Sequence, residues 1–116
     1  MTIYKIVPRQ LWSEAVASGE FTGSPVDVAD GFIHFSTADQ VHETAARHFA
    51  GIPDLLLIAF EASALGSALK WEPSRGGALF PHLYAPLPVN LALSVMPIDA
   101  DADGKPILPL SRTGSA

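Results

Sequence analysis

The sequence predicts a single α+β domain, and three observations point to it. Apolar segments follow one another in the order strand, helix, strand, helix and then several strands, with no internal repeat and no linker. The run Leu55 to Phe60 reads as a central strand covered on both faces, and it is far shorter than the ~20 residues a membrane helix needs. The chain has 116 residues, 48% of them hydrophobic and 16% charged. A domain of that size buries roughly two thirds of its unfolded surface and needs no disulfide or metal staple.

Ile3 to Val7 places bulky apolar residues around Tyr4 and Lys5, the pattern of a first strand. Pro8 suits the first turn of a helix, where its missing N–H costs nothing. Leu11, Trp12, Ala15 and Val16 then recur at helical spacing until Ser18-Gly19 stops the run. Phe21 to Asp30, with Gly23 and Pro25 among short polar residues, reads as a loop. Gly31 to Phe35 is a short strand, with Phe32 and His34 on one face and Ile33 and Phe35 on the other. Thr37 and Gln40 have capping-box spacing, and Ala38, Val41, Ala45, His48 and Phe49 form the buried stripe of a helix that Gly51 ends.

After the central strand, Ala64 to Ser67 is a turn or short helix and Ala68 to Trp71 a further strand. Trp71 to Pro88 holds four prolines and the pair Gly76-Gly77, so it is expected to be irregular over its length. Val89 to Val95 resumes a strand. Residues 1–98 make the domain, and 99–116 a turn and a tail whose last residues are expected to be mobile.

Composition excludes several functions. With no cysteine, thiol nucleophiles, thiolate zinc sites and iron–sulfur clusters are ruled out. A net charge of -5 argues against coating duplex nucleic acid, which needs a basic face, but leaves a small anionic ligand or an RNA end open. The first residues lack a basic region followed by a long apolar run, so a cytoplasmic protein without signal peptide or membrane span is expected. GxSxG, GxGxxG and P-loop motifs are absent. His42 and His48 lie roughly 240° apart around a helix, His42-Glu43 is not part of HExxH, and no metal site is expected. Asp99-x-Asp101-x-Asp103-Gly104 copies half a calcium loop but has Leu110 at its twelfth position, so a DG turn between two extended pieces fits better.

Two constellations remain. His34, inside a strand, is followed by the hydroxyls of Ser36 and Thr37 at a helix N-terminus, whose free N–H groups suit phosphate or ribose oxygens. The bland alternative is a core histidine beside a plain cap. Glu72, Arg75, His82 and Tyr84 fall within thirteen residues on a Pro/Gly frame, the make-up of a binding loop. Glu72 would act as a base or ribose acceptor and Arg75 would meet a phosphate, unless the two simply pair with each other.

IYKI, GFIHFST, RHFAG, DLLLIAF, KWEPSRGG and LFPHLY together resemble one small bacterial family, domain of unknown function 952, from Ile3 to about Val95. That family resembles the ADP-ribosyltransferase fold, split small sheets around an NAD cleft with two main helices here. The segment His34-Phe35-Ser36-Thr37 with its following helix and strand is also similar to the histidine-bearing segment of RNA 2′-phosphotransferases. The resemblance implies that His34 and Ser36 contact the nucleotide, with NAD as a substrate. It departs at Lys5, where transferases carry histidine or arginine on the first strand to grip NAD, and Glu72 stands in a context unlike that of the catalytic glutamate of toxin-like transferases.

Two readings follow. In the first, an ADP-ribosyl- or phospho-transferase-like enzyme uses His34 and Glu72 as catalytic residues, with Ser36, Thr37, Arg75, His82, Tyr84 and Lys5 binding NAD, ADP-ribose or a phosphorylated acceptor. In the second, a non-catalytic module binds a small anionic metabolite or a peptide in the same cleft. Either would be a monomer or a homodimer, the latter through Trp71, Phe80 and Tyr84.

Overall fold

The computed structural model describes residues 1–110. Its order is β1 (Thr2–Pro8), α1 (Arg9–Ser18), β2 (Glu20–Phe21), α2 (Pro25–Asp30), β3 (Ile33–His34), β4 (Ser36–Thr37), α3 (Ala38–His48), β5 (Leu55–Glu61), β6 (Leu69–Pro73), β7 (Leu79–Leu83), β8 (Leu87–Pro88), β9 (Ser94–Ala100) and β10 (Pro106–Ile107). Short 3₁₀ turns cover Ala62–Ala68, Arg75–Gly77 and Val89–Leu91. The α+β class holds.

A five-stranded antiparallel sheet runs β10-β9-β5-β1-β4, a three-stranded one β3-β7-β6, and β2 pairs with β8. The apolar run is the middle strand of the larger sheet, buried from Leu55 to Phe60. One face of that sheet, with Ile6, Leu55 and Leu57, packs on Val41 and Ala45 of α3. The other, with Ile3, Val7, Leu56, Ile58 and Phe60, packs on Trp12 and Ala15 of α1 and on Ile33 and Leu83 of the smaller sheet. The chain changes sheets at Phe35, between β3 and β4, whose N–H donates to the Pro81 carbonyl at 3.0 Å.

Several sequence expectations are corrected. Residues 21–30 are not a loop: Ser24 caps α2 in a reciprocal box with Asp27, and a helix of six residues is too short to show an apolar stripe. Pro8 ends β1 rather than opening the helix. The stretch 71–88 is irregular only in part. Strands β6 and β7 pair as a hairpin through Leu83, with Pro73 and Pro81 inside the register and Gly76 and Gly77 in the turn. Residues 84–86 lie outside any strand, and β8 pairs with β2. At residues 89–95 the strand begins only at Ser94, and α3 ends at His48 rather than at Gly51, with His48 exposed.

The DG turn is present, with Asp101 Oδ1 accepting from the N–H groups of Asp103 and Lys105 at 2.9 Å each. Strand β9 runs on to Ala100 and pairs with β10. The expected mobility of the last residues falls on 111–116, outside the described ones.

Thr37 holds the start of α3 by the box the sequence predicts, its N–H donating to Gln40 Oε1 at 3.0 Å. Thr37→Ala is therefore expected to lower stability by about 1 kcal/mol, measured by urea unfolding.

Candidate functional site

Asp27 organises the site. It is 2% exposed, and each carboxylate oxygen has three partners. Oδ2 accepts from Lys5 Nζ at 2.9 Å and from the Ser24 N–H and Oγ at 2.8 and 3.0 Å. Oδ1 accepts from Lys5 Nζ at 3.1 Å, from the His34 N–H at 3.1 Å and from His34 Nδ1 at 2.6 Å. Burial alone would raise the Asp27 carboxyl, but the His34 hydrogen bond and the Lys5 charge outweigh it and hold it well below the usual carboxylate range. Burial pushes the Lys5 amine below its ordinary value, against the pull of Asp27.

Gly23 makes room for this hub: a Cβ there would lie 2.9 Å from the Asp27 Cβ, and its φ of +122° is one that side chains rarely adopt. His34 reaches a second carboxylate through Nε2, 2.9 Å from Asp30 Oδ2. Serving both carboxylates at once takes two N–H donors, which imidazole has only with both nitrogens protonated.

The smaller sheet presents one apolar and one functional face. His34 lies opposite His82, and His82 opposite Lys70. Alternation therefore puts Phe32, Glu72, Phe80 and Tyr84 on the same face. The Phe32 ring stacks on His82 at 4.1 Å and contacts His34 and Tyr84 at 4.6 and 5.2 Å. The two imidazoles are 5.4 Å apart.

Glu72 Oε1 lies 2.8 Å from His82 Nδ1 and accepts from the Tyr84 hydroxyl at 2.7 Å. Those two hydrogen bonds, Tyr84 first, hold the Glu72 carboxyl below its ordinary value, and the same bond pushes the Tyr84 hydroxyl up. An ionised carboxylate only accepts, so His82 carries its proton on Nδ1.

A cavity of about 570 Å³ is bordered by residues of both sheets and of α3. That is within the range of ligand sites, ~300–1,000 Å³. Strand β4 pairs with β1 only at Ile3 and Tyr4. Lys5, Ile6 and Pro8, just beyond that pairing, line the cavity.

Of the residues singled out in the sequence, Lys5, His34, Ser36 and His82 border it; Thr37, Glu72 and Tyr84 do not. Ser36 Oγ shares a hydrogen bond with Thr44 Oγ1 at 3.0 Å, and Thr37 is a cap whose own N–H is taken. Glu72 pairs with His82 and Tyr84. The Arg75 backbone lies in the 3₁₀ turn, and its side chain is outside what the structure describes.

Asp27, Asp30 and Ser24 are the residues that sequence reasoning missed, and Phe32 was placed beside His34 without a role. For Asp27 there was a signal: Ser24-Pro25-Val26-Asp27 has a capping serine, a proline at the first helical position and an acid at the third. His48, expected in the core, sits exposed beside the cavity.

A family model described as "Protein of unknown function (DUF952)" matches residues 6–95. The chain belongs to the DUF952 family. The crystal structure of protein CC0527 from Caulobacter crescentus is 55% identical and superposes with a TM-score of 0.91, covering 93% of this chain and 95% of that one. The solution NMR structure of CC0527 is likewise 55% identical, with a TM-score of 0.81 over 90% of each chain. No curated protein matches. The described part of this DUF952 protein has no helix long and apolar enough to cross a membrane.

Proposed function

We propose that this DUF952 protein is an ADP-ribosyltransferase-like protein whose cleft takes NAD or ADP-ribose. One observation carries the reading: the cavity bordered by both sheets meets His34, Ser36 and His82, an imidazole and hydroxyl set suited to the ribose and phosphate oxygens of a nucleotide. The division of strands between two sheets, with the chain crossing at Phe35, supports the same reading. Lys5 stands where transferases grip NAD with histidine or arginine, but its ammonium is committed to Asp27, so its part is to fix Asp27 and through it His34.

The test is a titration of ¹⁵N-labelled protein with NAD and with ADP-ribose. Saturable shifts of amides at 31–37, 80 and 82–84, lost in His34→Ala with the remaining spectrum intact, are the expected result. Silence at millimolar ligand would sink both ligands. A second reading, a binding module without chemistry, is favoured by the placement of Glu72 outside the cavity lining. In that case ligand binds and no nicotinamide is released.

A further inference from the structure

We propose that His82, rather than Glu72, moves the proton in this cleft, and that Glu72 is its positioning residue. The identity of the substrate rests on the reading above; the arrangement of the ring does not.

Glu72 is poorly placed to act directly, because it does not border the cavity and its Oε1 already serves His82 and Tyr84. His34 has both ring nitrogens on carboxylates. His48 is exposed and has no orienting carboxylate among the described residues. His82 differs from all of these. It borders the cavity, Phe32 stacks on its ring, Glu72 holds Nδ1, and Nε2 has no hydrogen-bond partner among the described residues.

A neutral imidazole fixed by a carboxylate at one nitrogen offers the other as a proton acceptor, and the charge it gains lies against that carboxylate. The charged or titratable groups around the ring are Glu72 and Lys70 from β6, His34 from β3 and Tyr84 just past the end of β7. Glu72, as the ionised one nearest the ring, favours proton uptake.

With NAD in the cleft the step balances as follows. A water oxygen forms the bond to C1′ of the nicotinamide ribose, and its proton passes to His82 Nε2. The glycosidic C–N bond breaks with its electron pair going to the pyridinium nitrogen, and neutral nicotinamide leaves. The ring then returns the proton to solvent, giving ADP-ribose.

The experiment has two arms that need no turnover and one that does. A long-range ¹H–¹⁵N spectrum should show His82 protonated at Nδ1; protonation at Nε2 instead would overturn the proposal. Diethyl pyrocarbonate, followed by peptide mass mapping, should acylate His82 before His34 and more slowly with ADP-ribose present. An unreactive His82 would count equally against it.

In the third arm, nicotinamide release is followed against pH. His82→Gln should lose on the order of 100-fold together with the acid limb of the profile. Glu72→Gln, at a side chain 38% exposed and so tolerant of exchange, should shift that limb and keep the fold. Equal rates for His82→Gln and the parent would sink His82 while leaving NAD as substrate. No release at all, with the first two arms as expected, would remove NAD and leave His82 as the proton acceptor for another substrate.

Discussion

Asp27→Ala is expected to lower the unfolding free energy by about 3–5 kcal/mol. At roughly 4 °C per kcal/mol for a domain of this length, Tm would fall on the order of 12–20 °C. The size follows from what would be left behind. Lys5 is 6% exposed and Asp27 is its ion-pair partner, so removing the carboxylate strands an ammonium inside the protein. The same change unties Ser24 and with it the start of α2, and it frees both the ring and the backbone N–H of His34.

Asp27→Asn separates charge from shape: it fits the space, and most of the loss is expected to persist. Lys5→Met removes the other partner but leaves Asp27 its contacts with Ser24 and His34, so it should cost less than either. Thermal unfolding followed by circular dichroism orders the three. If Asp27→Asn melted within a degree or two of the parent, the ion pair would not be what holds β1 to α2.

The same pair fixes the direction of the acid response. The folded carboxyl of Asp27 is held below its unfolded value, so the folded state binds the proton less readily than the unfolded chain does. Its contribution is complete above the unfolded carboxylate value, about 3.9. It is lost progressively as pH falls below that toward the folded value. Melts from pH 7 down to pH 2 should therefore show a steep loss below pH 4 in the parent and a shallower one in Asp27→Asn.

Much of this architecture was legible in the sequence, and the exceptions have a common cause. Strong periodic signals gave β1, α1, α3 and β5, and the capping spacing placed Thr37 correctly as the start of α3. Alternation alone put Phe32 with His34 on a shared face, as their ring contact has it. What was not legible depends on contacts distant along the chain. Asp27 meets Lys5 across 22 positions and the hairpin brings Glu72 to His82 across 10, and no local pattern encodes either. Prolines misled in the hairpin because they signal irregularity locally, whereas Pro73 and Pro81 are accommodated by the register β6 and β7 adopt.

Phe60→Ala is the second change expected to have a large effect, about 3–5 kcal/mol, and its reach extends to the cleft. Phe60 is fully buried opposite Ile3 and meets two aromatic rings edge-on, Trp12 at 6.4 Å and Phe35 at 5.7 Å. Alanine would leave a void that the middle strand cannot close, since Ile3, Trp12 and Phe35 are each anchored in other elements. Phe35 is the residue at which the chain crosses between sheets, and it also lines the cavity. A change at Phe60 thus reaches the ligand wall through a single ring. Phe60→Leu is the sharper probe: it keeps most of the volume, should cost less than about 2 kcal/mol, and still gives Phe35 room to move. The amides of Ser36 and Thr44 are then expected to shift in the spectrum of the folded variant, and ADP-ribose to bind several-fold more weakly. Unchanged cleft amides would mean that the hydrogen bond from the Phe35 N–H to Pro81 fixes the wall by itself, and that the core under β5 and the cleft above it are mechanically independent.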